Sequence, residues 1–258
     1  MYEAHWNLAE KPFENDQNVK FFYESKNHNQ ALVRVLYATE QAKSLAVVIG
    51  ECGSGKTYVC RRAKDELGKR GYKAALIVAP TGCTSEFYRR ACEAFGFLNA
   101  DGTGPLDTRH AFMGKLNEAK ERDSAFKPVL FIDNVETITN DAILEEIRML
   151  LDLTVGDGKP LLTIVLSGDP RAREVMRRHA SLVQRIEVGY ELAPLGEEDA
   201  RNYILHRIRV AGGPKRIFDN AALRGAFKAS SGLPRLLNRV CDLALLMGKI
   251  EGKDQIVR

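Results

Sequence analysis

The sequence has no long apolar run: nowhere in its 258 residues do 18 or more apolar residues follow one another. A helix that crosses a membrane needs about 20 such residues, so we expect this chain not to insert into a membrane. The first residues, MYEAHWNLAEKPF, also lack the basic and then apolar segments of a secretory signal. Both absences predict a cytoplasmic protein.

Cysteine is scarce and is not arranged in pairs. The five cysteines are an odd number and form no CxxC pair. This arrangement does not fit a disulfide framework or a zinc site, so we expect buried or inert thiols. The sequence also lacks a helix-turn-helix or zinc-finger signature, which excludes the common ways of reading base edges in DNA.

The composition is that of an ordinary globular protein, with 45% hydrophobic and 28% charged residues. The length allows one large domain, or a core domain with a smaller appendage. Positive charge is concentrated near the end: residues 196–258 contain 12 Lys and Arg and 7 Asp and Glu, against a formal net charge of +4 for the whole chain. Such a region can meet the phosphates of a nucleotide or a nucleic acid, although an ordinary solvated helical face has the same composition.

Short apolar runs alternate with helical patterns along most of the chain. The runs are 44–50, 73–79, 127–133, 160–168 and 185–192, and the helical patterns lie near 55–69, 84–96, 108–122, 141–153 and 170–180. The first four runs are almost continuously apolar, as in strands that are buried on both faces. The alternation predicts an α/β fold: a five-stranded parallel sheet with helices on both faces.

Three regions follow from this pattern. Residues 1–43 are an entry segment followed by a helix, residues 44–195 are the α/β core, and residues 196–258 contain three helical stretches punctuated by Gly and Pro. The last region is predicted to be a small all-helical unit.

The stretch GECGSGKT, from Gly50 to Thr57, fits the pattern G-x-x-x-x-G-K-[ST] between a predicted strand and a predicted helix. In this context, glycines let the backbone N–H groups curl around phosphate oxygens, and the helix N-terminus adds partial positive charge. We expect Lys56 to reach the β- and γ-phosphates of ATP and the Thr57 hydroxyl to bind Mg²⁺. The expected nucleotide-binding residues are Gly50, Glu51, Cys52, Gly53, Ser54, Gly55, Lys56, Thr57 and Tyr58.

An aspartate closes the buried run PVLFID at Asp133. Next to a phosphate-binding loop, a carboxylate in this position is expected to hold Mg²⁺ through water. Asn134 follows it, and an amide cannot accept a proton from water. Glu136 is the nearest carboxylate after it, and it is either a substitute base or a solvent-facing residue at the start of a helix.

Several segments in order resemble the ExeA/GspA-type AAA+ ATPases. They are WNLAEKPFENDQNVKFFYESKNHNQALVRVLYATEQ at 6–41, GECGSGKT, FIDNVE, SLVQRIEVGYELAPLGEEDARNYILHRIRVAG at 181–212, and IFDNAALRGAFKASSGLPRLLNRVCDLAL at 217–245. The resemblance covers nearly the whole chain. It implies an AAA+ core with a helical lid that works as a homo-oligomeric ring or helical filament.

The resemblance also implies roles for particular residues. Arg185, in SLVQRI, corresponds to the arginine finger that reaches the γ-phosphate held by a neighbouring subunit, with Arg177 and Arg178 as second choices. Arg235, in GLPR, corresponds to the lid arginine called sensor two, and a guanidinium suits the charge that builds up on a transferring phosphoryl group. The segment around Pro12 and Phe13 corresponds to the border of the adenine site.

The chain departs from the family pattern at three places. The family usually has Asp-Glu where this chain has Asp133-Asn134, and a polar amide as sensor one where this chain has LSGDP, with Ser167 and Asp169. Relatives also continue into at least one further lid helix, so residues 196–258 are either the whole lid of this chain or a truncated one. Losing the base should slow hydrolysis, since general-base catalysis contributes about 10²–10⁴-fold.

Two processes fit an ATPase of this kind. The first is transposition, in which the chain would be a DNA-associated regulator similar to MuB and TnsC. Such a regulator polymerises on duplex DNA without strong sequence preference and recruits a transposase. Arg89 and Arg90 are candidate DNA contacts in it, or residues of a solvated helical face. The alternative is the assembly of a secretion or pilus apparatus. The GLPR and SLVQRI segments argue against a metabolic kinase.

Overall fold

The chain forms two compact units. The computed structural model describes residues 1–15, 19–97, 105–156 and 158–257. The helical unit contains residues 1–29, 51–55 and 193–258, and the sheet unit contains residues 30–50 and 56–192.

Five parallel strands make up the sheet, in the order β2-β3-β4-β1-β5. They are β1 (Leu45–Gly50), β2 (Lys73–Val78), β3 (Pro128–Asp133), β4 (Thr163–Gly168) and β5 (Ile186–Leu192). Strands β1, β3 and β4 are buried along their whole length, as their apolar sequences predict. The predicted α/β fold is confirmed. Strand β4 begins three residues later than its apolar run, because Pro160 forms an isolated antiparallel bridge with Thr154 instead.

Helices cover both faces of the sheet. They are α1 (Lys26–Glu40), α2 (Lys56–Lys69), α3 (Thr84–Phe95), α4 (Pro105–Arg122), α5 (Asp141–Leu150), α6 (Ala172–Arg177) and α7 (Ala180–Val183). Apolar side chains of α1 and α2 pack on one face, and those of α3 to α7 pack on the other. The helix predicted near 170–180 is the shorter α6, and α7 follows as a separate helix because His179 leaves the helical region with φ −123° and ψ 88°.

Strand β5 is an edge strand with an irregular register. Its pairing with β1 shifts between Leu45 and Ala46. Its side chains alternate in exposure, and those at Glu187 and Glu191 are exposed. The sheet unit therefore has an edge that is interrupted by a register shift and carries two glutamates, which pair with Lys43 and Arg173.

The helical unit contains α8 (Glu197–Val210), α9 (Asn220–Ser230) and α10 (Pro234–Ile250), which lie in the three predicted helical stretches. The first residues of the chain complete its core: Trp6 and Phe13 are buried among the helices, and Trp6 Nε1 donates to the Leu245 carbonyl at 2.9 Å. Arg207 is also buried and donates to the Pro12 and Glu14 carbonyls. No helix in the described residues is both long and apolar enough to cross a membrane.

Candidate nucleotide site

The phosphate-binding loop runs from the end of β1 at Gly50 to the start of α2 at Lys56. Gly53 and Gly55 have φ values of +82° and +105°, a region that side-chain-bearing residues rarely adopt. The Ser54 N–H donates to the Glu51 carbonyl at 3.0 Å, which closes the turn. The sequence therefore places its glycines where the backbone needs them.

In the sheet unit, three neighbouring strands bring the predicted phosphate and metal ligands together. The carboxyl ends of β3, β4 and β1 share one edge of the sheet because these strands are parallel and adjacent. Thr57 Oγ1 donates to Asp133 Oδ2 at 2.5 Å, and the Ser167 hydroxyl donates to Asp133 Oδ1. Lys56 Nζ donates to the Gly50 carbonyl at 2.8 Å. Lys56, Thr57 and Asp133 therefore form one cluster.

The donors of this cluster fit a magnesium ion that is shared with nucleotide phosphates. Mg²⁺ prefers oxygen ligands and is commonly held by one or two carboxylates together with substrate phosphates. Thr57 supplies a hydroxyl and Asp133 supplies a carboxylate that is only 3% exposed. The described residues contain no group of three or more His, Cys, Asp or Glu that could hold a metal by themselves.

Asn134 adopts a left-handed backbone conformation, with φ 60° and ψ 44°. Asn adopts this conformation more readily than most residues do, so asparagine suits the backbone at this position. Its side-chain amide also cannot act as a base. Its N–H donates to Asp133 Oδ1 at 3.0 Å. Glu136 follows in a short 3-10 helix and accepts the Asp169 N–H at Oε2, at 3.1 Å. Glu136 is thus bonded to the residue that directly follows β4, the strand that carries Ser167.

In the helical unit, Arg235 contacts the phosphate-binding loop twice. Its backbone N–H donates to the Gly53 carbonyl at 3.3 Å, and its Nη1 lies 3.6 Å from the Cys52 sulfur. A Cβ at Gly53 would lie 2.7 Å from the Arg235 Cβ, so only glycine fits here. Arg235 therefore lies next to the loop, and its role as the lid arginine, which the family resemblance implies, stays a prediction.

The other candidate arginines are in the sheet unit, and two of them are held by carboxylates or carbonyls. Arg185, between α7 and β5, forms an ion pair with Asp152. Arg178 pairs with Asp141 and donates to the Ile138 carbonyl, whereas Arg177 lines a cavity of about 340 Å³. The role of Arg185 as the arginine finger stays a prediction, with Arg177 and Arg178 as second choices.

The segment that contains the phosphate-binding loop and Asp133 matches a known family: the model described as AAA domain covers residues 39–176. The chain belongs to the AAA domain family. It is 31% identical over 264 aligned residues to the General secretion pathway protein A of Aeromonas hydrophila, an alignment that covers 100% of this chain and 46% of that protein. The predicted kinship with ExeA/GspA-type AAA+ ATPases is confirmed, and this AAA protein is an ATPase.

The chain therefore spans less than half of that relative's length. Among solved structures with this fold, the Aeropyrum pernix ORC2 protein in its ADPNP–ADP complexes has a TM-score of 0.70 and 15% identity, covering 96% of this chain and 68% of its own. The Aeropyrum pernix ORC1 protein in complex with DNA has a TM-score of 0.59 and 14% identity, covering 90% and 62%. At 15% and 14% identity, these two comparisons show a shared fold and nothing more.

The structure also places residues whose roles the sequence did not reveal. His28 contacts the Ser54 carbonyl of the phosphate-binding loop at 2.9 Å. No spacing rule links a histidine to a loop 26 residues later, so pattern analysis could not identify this contact. Phe13, predicted to border adenine, packs edge-on against Phe218 in the core of the helical unit. Its role at the nucleotide stays a prediction.

The stability of the AAA protein should fall when the pH drops below 6.5. Burial lowers the pKa of His28 and of His206 below the ordinary value of 6.5. A group whose pKa is lowered by folding binds protons better when unfolded, so its contribution to stability is present above 6.5 and is lost as pH falls through the folded pKa. Urea unfolding at a series of pH values should show this loss before carboxylates such as Glu145, whose pKa lies below 4.5, begin to titrate. As the pH falls, the free energy of unfolding should decrease less in the variant His28→Gln than in the wild type. An equal decrease in both would contradict the assignment to His28.

Proposed function

We propose that this AAA ATPase is an ATP-timed switch: a homo-oligomer, ring or helical filament, that assembles with Mg²⁺ and ATP and disassembles after slow hydrolysis. Asn134 carries the proposal. It occupies the position after Asp133 where a carboxylate would act as the base, and its amide can position water without accepting a proton. General-base catalysis contributes about 10²–10⁴-fold. Hydrolysis without a strong base should therefore be slow, and the ATP-bound state should persist.

Each residue of the cluster has a role in this scheme. Lys56 would meet the β- and γ-phosphates as a compact cation, and the loop N–H groups would hold the phosphate oxygens. Thr57 and Asp133 would hold Mg²⁺, which neutralises charge on the phosphates when bound. Ser167 donates to the second oxygen of Asp133, so it fixes the carboxylate and takes the place of the expected sensor-one amide.

Glu136 is the candidate substitute base. One of its oxygens accepts the Asp169 N–H, and a carboxylate has further acceptor sites for a water molecule. The same hydrogen bond supports the alternative, in which Glu136 only shapes the turn after β4. Steady-state hydrolysis by wild type and Glu136→Gln separates the two.

Two arginines complete the site. Arg235 would contact the nucleotide held by its own chain, since its backbone is bonded to the loop at Gly53. Arg185 would contact the nucleotide held by a neighbouring chain, exchanging Asp152 for the γ-phosphate. Phosphate and carboxylate are both suitable partners for a guanidinium fork.

The exposed cations of the helical unit favour duplex DNA as the surface on which the oligomer assembles. Within the described part of this unit, these exposed basic residues form no ion pair: Arg201, Arg209, Lys215, Arg216, Arg224, Lys228 and Arg239. By contrast, Arg89 and Arg90 of the sheet unit pair with Glu93 and Glu86 of their own helix. Unpaired cations can neutralise phosphates without first breaking an ion pair, so we place the DNA contacts on the helical unit, with a transposase-like protein as the recruited partner.

A second candidate is an ATPase that assembles a secretion or pilus apparatus. It is favoured by the 31% identity to the General secretion pathway protein A. In that case the partner is a component of the apparatus, and the exposed cations are a solvated surface.

Binding to random duplex DNA, with and without a non-hydrolysable ATP analogue and across salt concentrations, distinguishes the two candidates. A DNA-assembled oligomer should bind only with the analogue, and its affinity should fall steeply with salt. The double variant Arg224→Ala, Lys228→Ala should reduce the log–log salt slope by about 2. The matched variant Arg89→Ala, Arg90→Ala should leave the slope unchanged. Absence of binding at about 50 mM salt supports the secretion candidate.

A further inference from the structure

His28 is a buried histidine of the helical unit with a partner at each ring nitrogen. Nε2 lies 2.9 Å from the Ser54 carbonyl oxygen, and Nδ1 lies 2.7 Å from Ser25 Oγ. His28 is 5% exposed, and Ser25 and Ser54 are each 1% exposed. Water therefore does not compete for these hydrogen bonds.

The partners determine which nitrogen carries the proton. A carbonyl oxygen only accepts, so Nε2 must be the donor to Ser54. In the neutral ring Nδ1 is then an acceptor, and the Ser25 hydroxyl donates to it. The Ser25 oxygen in turn accepts the His28 backbone N–H at 3.3 Å. Every polar atom of the pair is satisfied in the neutral form.

The imidazole also occupies the space beside Gly55. A Cβ added at Gly55 would lie 2.4 Å from His28 Nε2, and the φ of Gly55 is +105°. Any residue larger than glycine would collide with the ring and strain the backbone. The loop and the histidine therefore fit each other.

Holding the Ser54 carbonyl fixes the direction of a phosphate-binding donor. The carbonyl of Ser54 and the N–H of Gly55 belong to the same planar trans peptide unit, so they point in opposite directions. With the carbonyl directed at His28, the Gly55 N–H is directed away from it. The Ser54 hydroxyl oxygen of the same segment is buried and has no hydrogen-bond partner in the described residues, a second sign that this peptide is shaped for an incoming polar group.

We propose that His28 is a positioning residue of the nucleotide site, which orients the Ser54–Gly55 peptide so that its N–H group meets a nucleotide phosphate. The proposal rests on nucleotide binding by the loop from Gly50 to Thr57. It adds to the site a side chain from the entry segment, 26 residues before the loop peptide that it holds. It assigns the histidine to phosphate binding rather than to packing alone.

Equilibrium binding of ADP by His28→Ala tests the proposal, because ADP is not consumed during the measurement. Removing a buried hydrogen-bond partner from the loop should raise the Kd for ADP by about tenfold. In His28→Gln the amide nitrogen can still donate to the Ser54 carbonyl, so the Kd should return to within about threefold of the wild-type value. Steady-state kinetics should show the change mainly in KM.

Tyr203→Phe is the matched control in the same unit. It removes a buried hydroxyl that donates to Asn238 at 2.8 Å and accepts from Arg207 at 2.8 Å, without touching the loop. It should lower Tm and leave the Kd for ADP unchanged. If His28→Ala lowers Tm as much as Tyr203→Phe and shifts the Kd less than twofold, His28 is only a packing residue. If the wild-type chain fails to bind ADP, the nucleotide site itself is wrong, which is a separate result.

Discussion

Replacing Arg185 by alanine should reduce the rate of ATP hydrolysis by the assembled protein by roughly 10³-fold, with little change in the affinity of a single chain for ATP. An arginine finger contributes about 10³–10⁵ to kcat because it stabilises charge on the transferring phosphoryl group. In the structure Arg185 pairs with Asp152, a carboxylate of its own chain. The variant therefore removes a group that would act on the neighbour's nucleotide. Steady-state hydrolysis at saturating ATP measures the effect.

Mixing variants shows whether the arginine acts between chains. Arg185→Ala subunits retain their own loop, and Lys56→Ala subunits retain their own arginine. A mixture should therefore recover part of the activity that each variant lacks. Arg173→Ala is the matched control, since Arg173 pairs with Glu191 in the same unit. If the mixture stays inactive although mixed oligomers form, or if Arg185→Ala hydrolyses ATP as fast as wild type, Arg185 is not the finger.

The variant Asn134→Glu should increase kcat by on the order of 10²-fold by restoring a general base. It should also shorten the lifetime of the ATP-assembled oligomer. A cost is expected, because Glu is less stable than Asn in the left-handed conformation found at position 134, by about 1 kcal/mol. Hydrolysis rates, oligomer lifetime by light scattering, and urea unfolding measure the three effects.

Two smaller changes at the same turn are the controls. Asn134→Asp adds a shorter carboxylate and keeps a residue type that tolerates the left-handed conformation, so its rate should lie between those of wild type and Asn134→Glu. Glu136→Gln should slow the wild-type protein if Glu136 is the substitute base. A fast wild-type rate that Glu136→Gln leaves unchanged would disprove both the slow switch and the substitute base.

The fold and the centre of the site are predictable from the sequence for local reasons. Continuous apolar runs identify the buried parallel strands, and the glycine spacing identifies the phosphate-binding loop. The position of Asp133 at the end of such a run then predicts that it meets Thr57, because parallel strands end at the same edge.

The remaining contacts depend on the tertiary structure. The pairing of Arg185 with Asp152 joins residues with no sequence relation, and so does the bond from His28 to Ser54. The left-handed conformation of Asn134 is a backbone property that a single amide in a sequence does not specify. Helices and strands are predictable because their apolar residues recur at regular spacings in the sequence. Each of these tertiary features occurs once and follows no such spacing.

The edge strand β5 restricts how copies of this protein can join. Open strand edges tend to recruit further strands, and natural proteins discourage this with bulges and charged side chains. The register shift between Leu45 and Ala46 supplies the first feature, and the charged side chains of Glu187 and Glu191, with their partners Lys43 and Arg173, supply the second. Growth of one continuous sheet from copy to copy along β5 is therefore disfavoured. A reversible assembly that is controlled by ATP needs this protection, since main-chain pairing between copies would resist disassembly whatever the nucleotide.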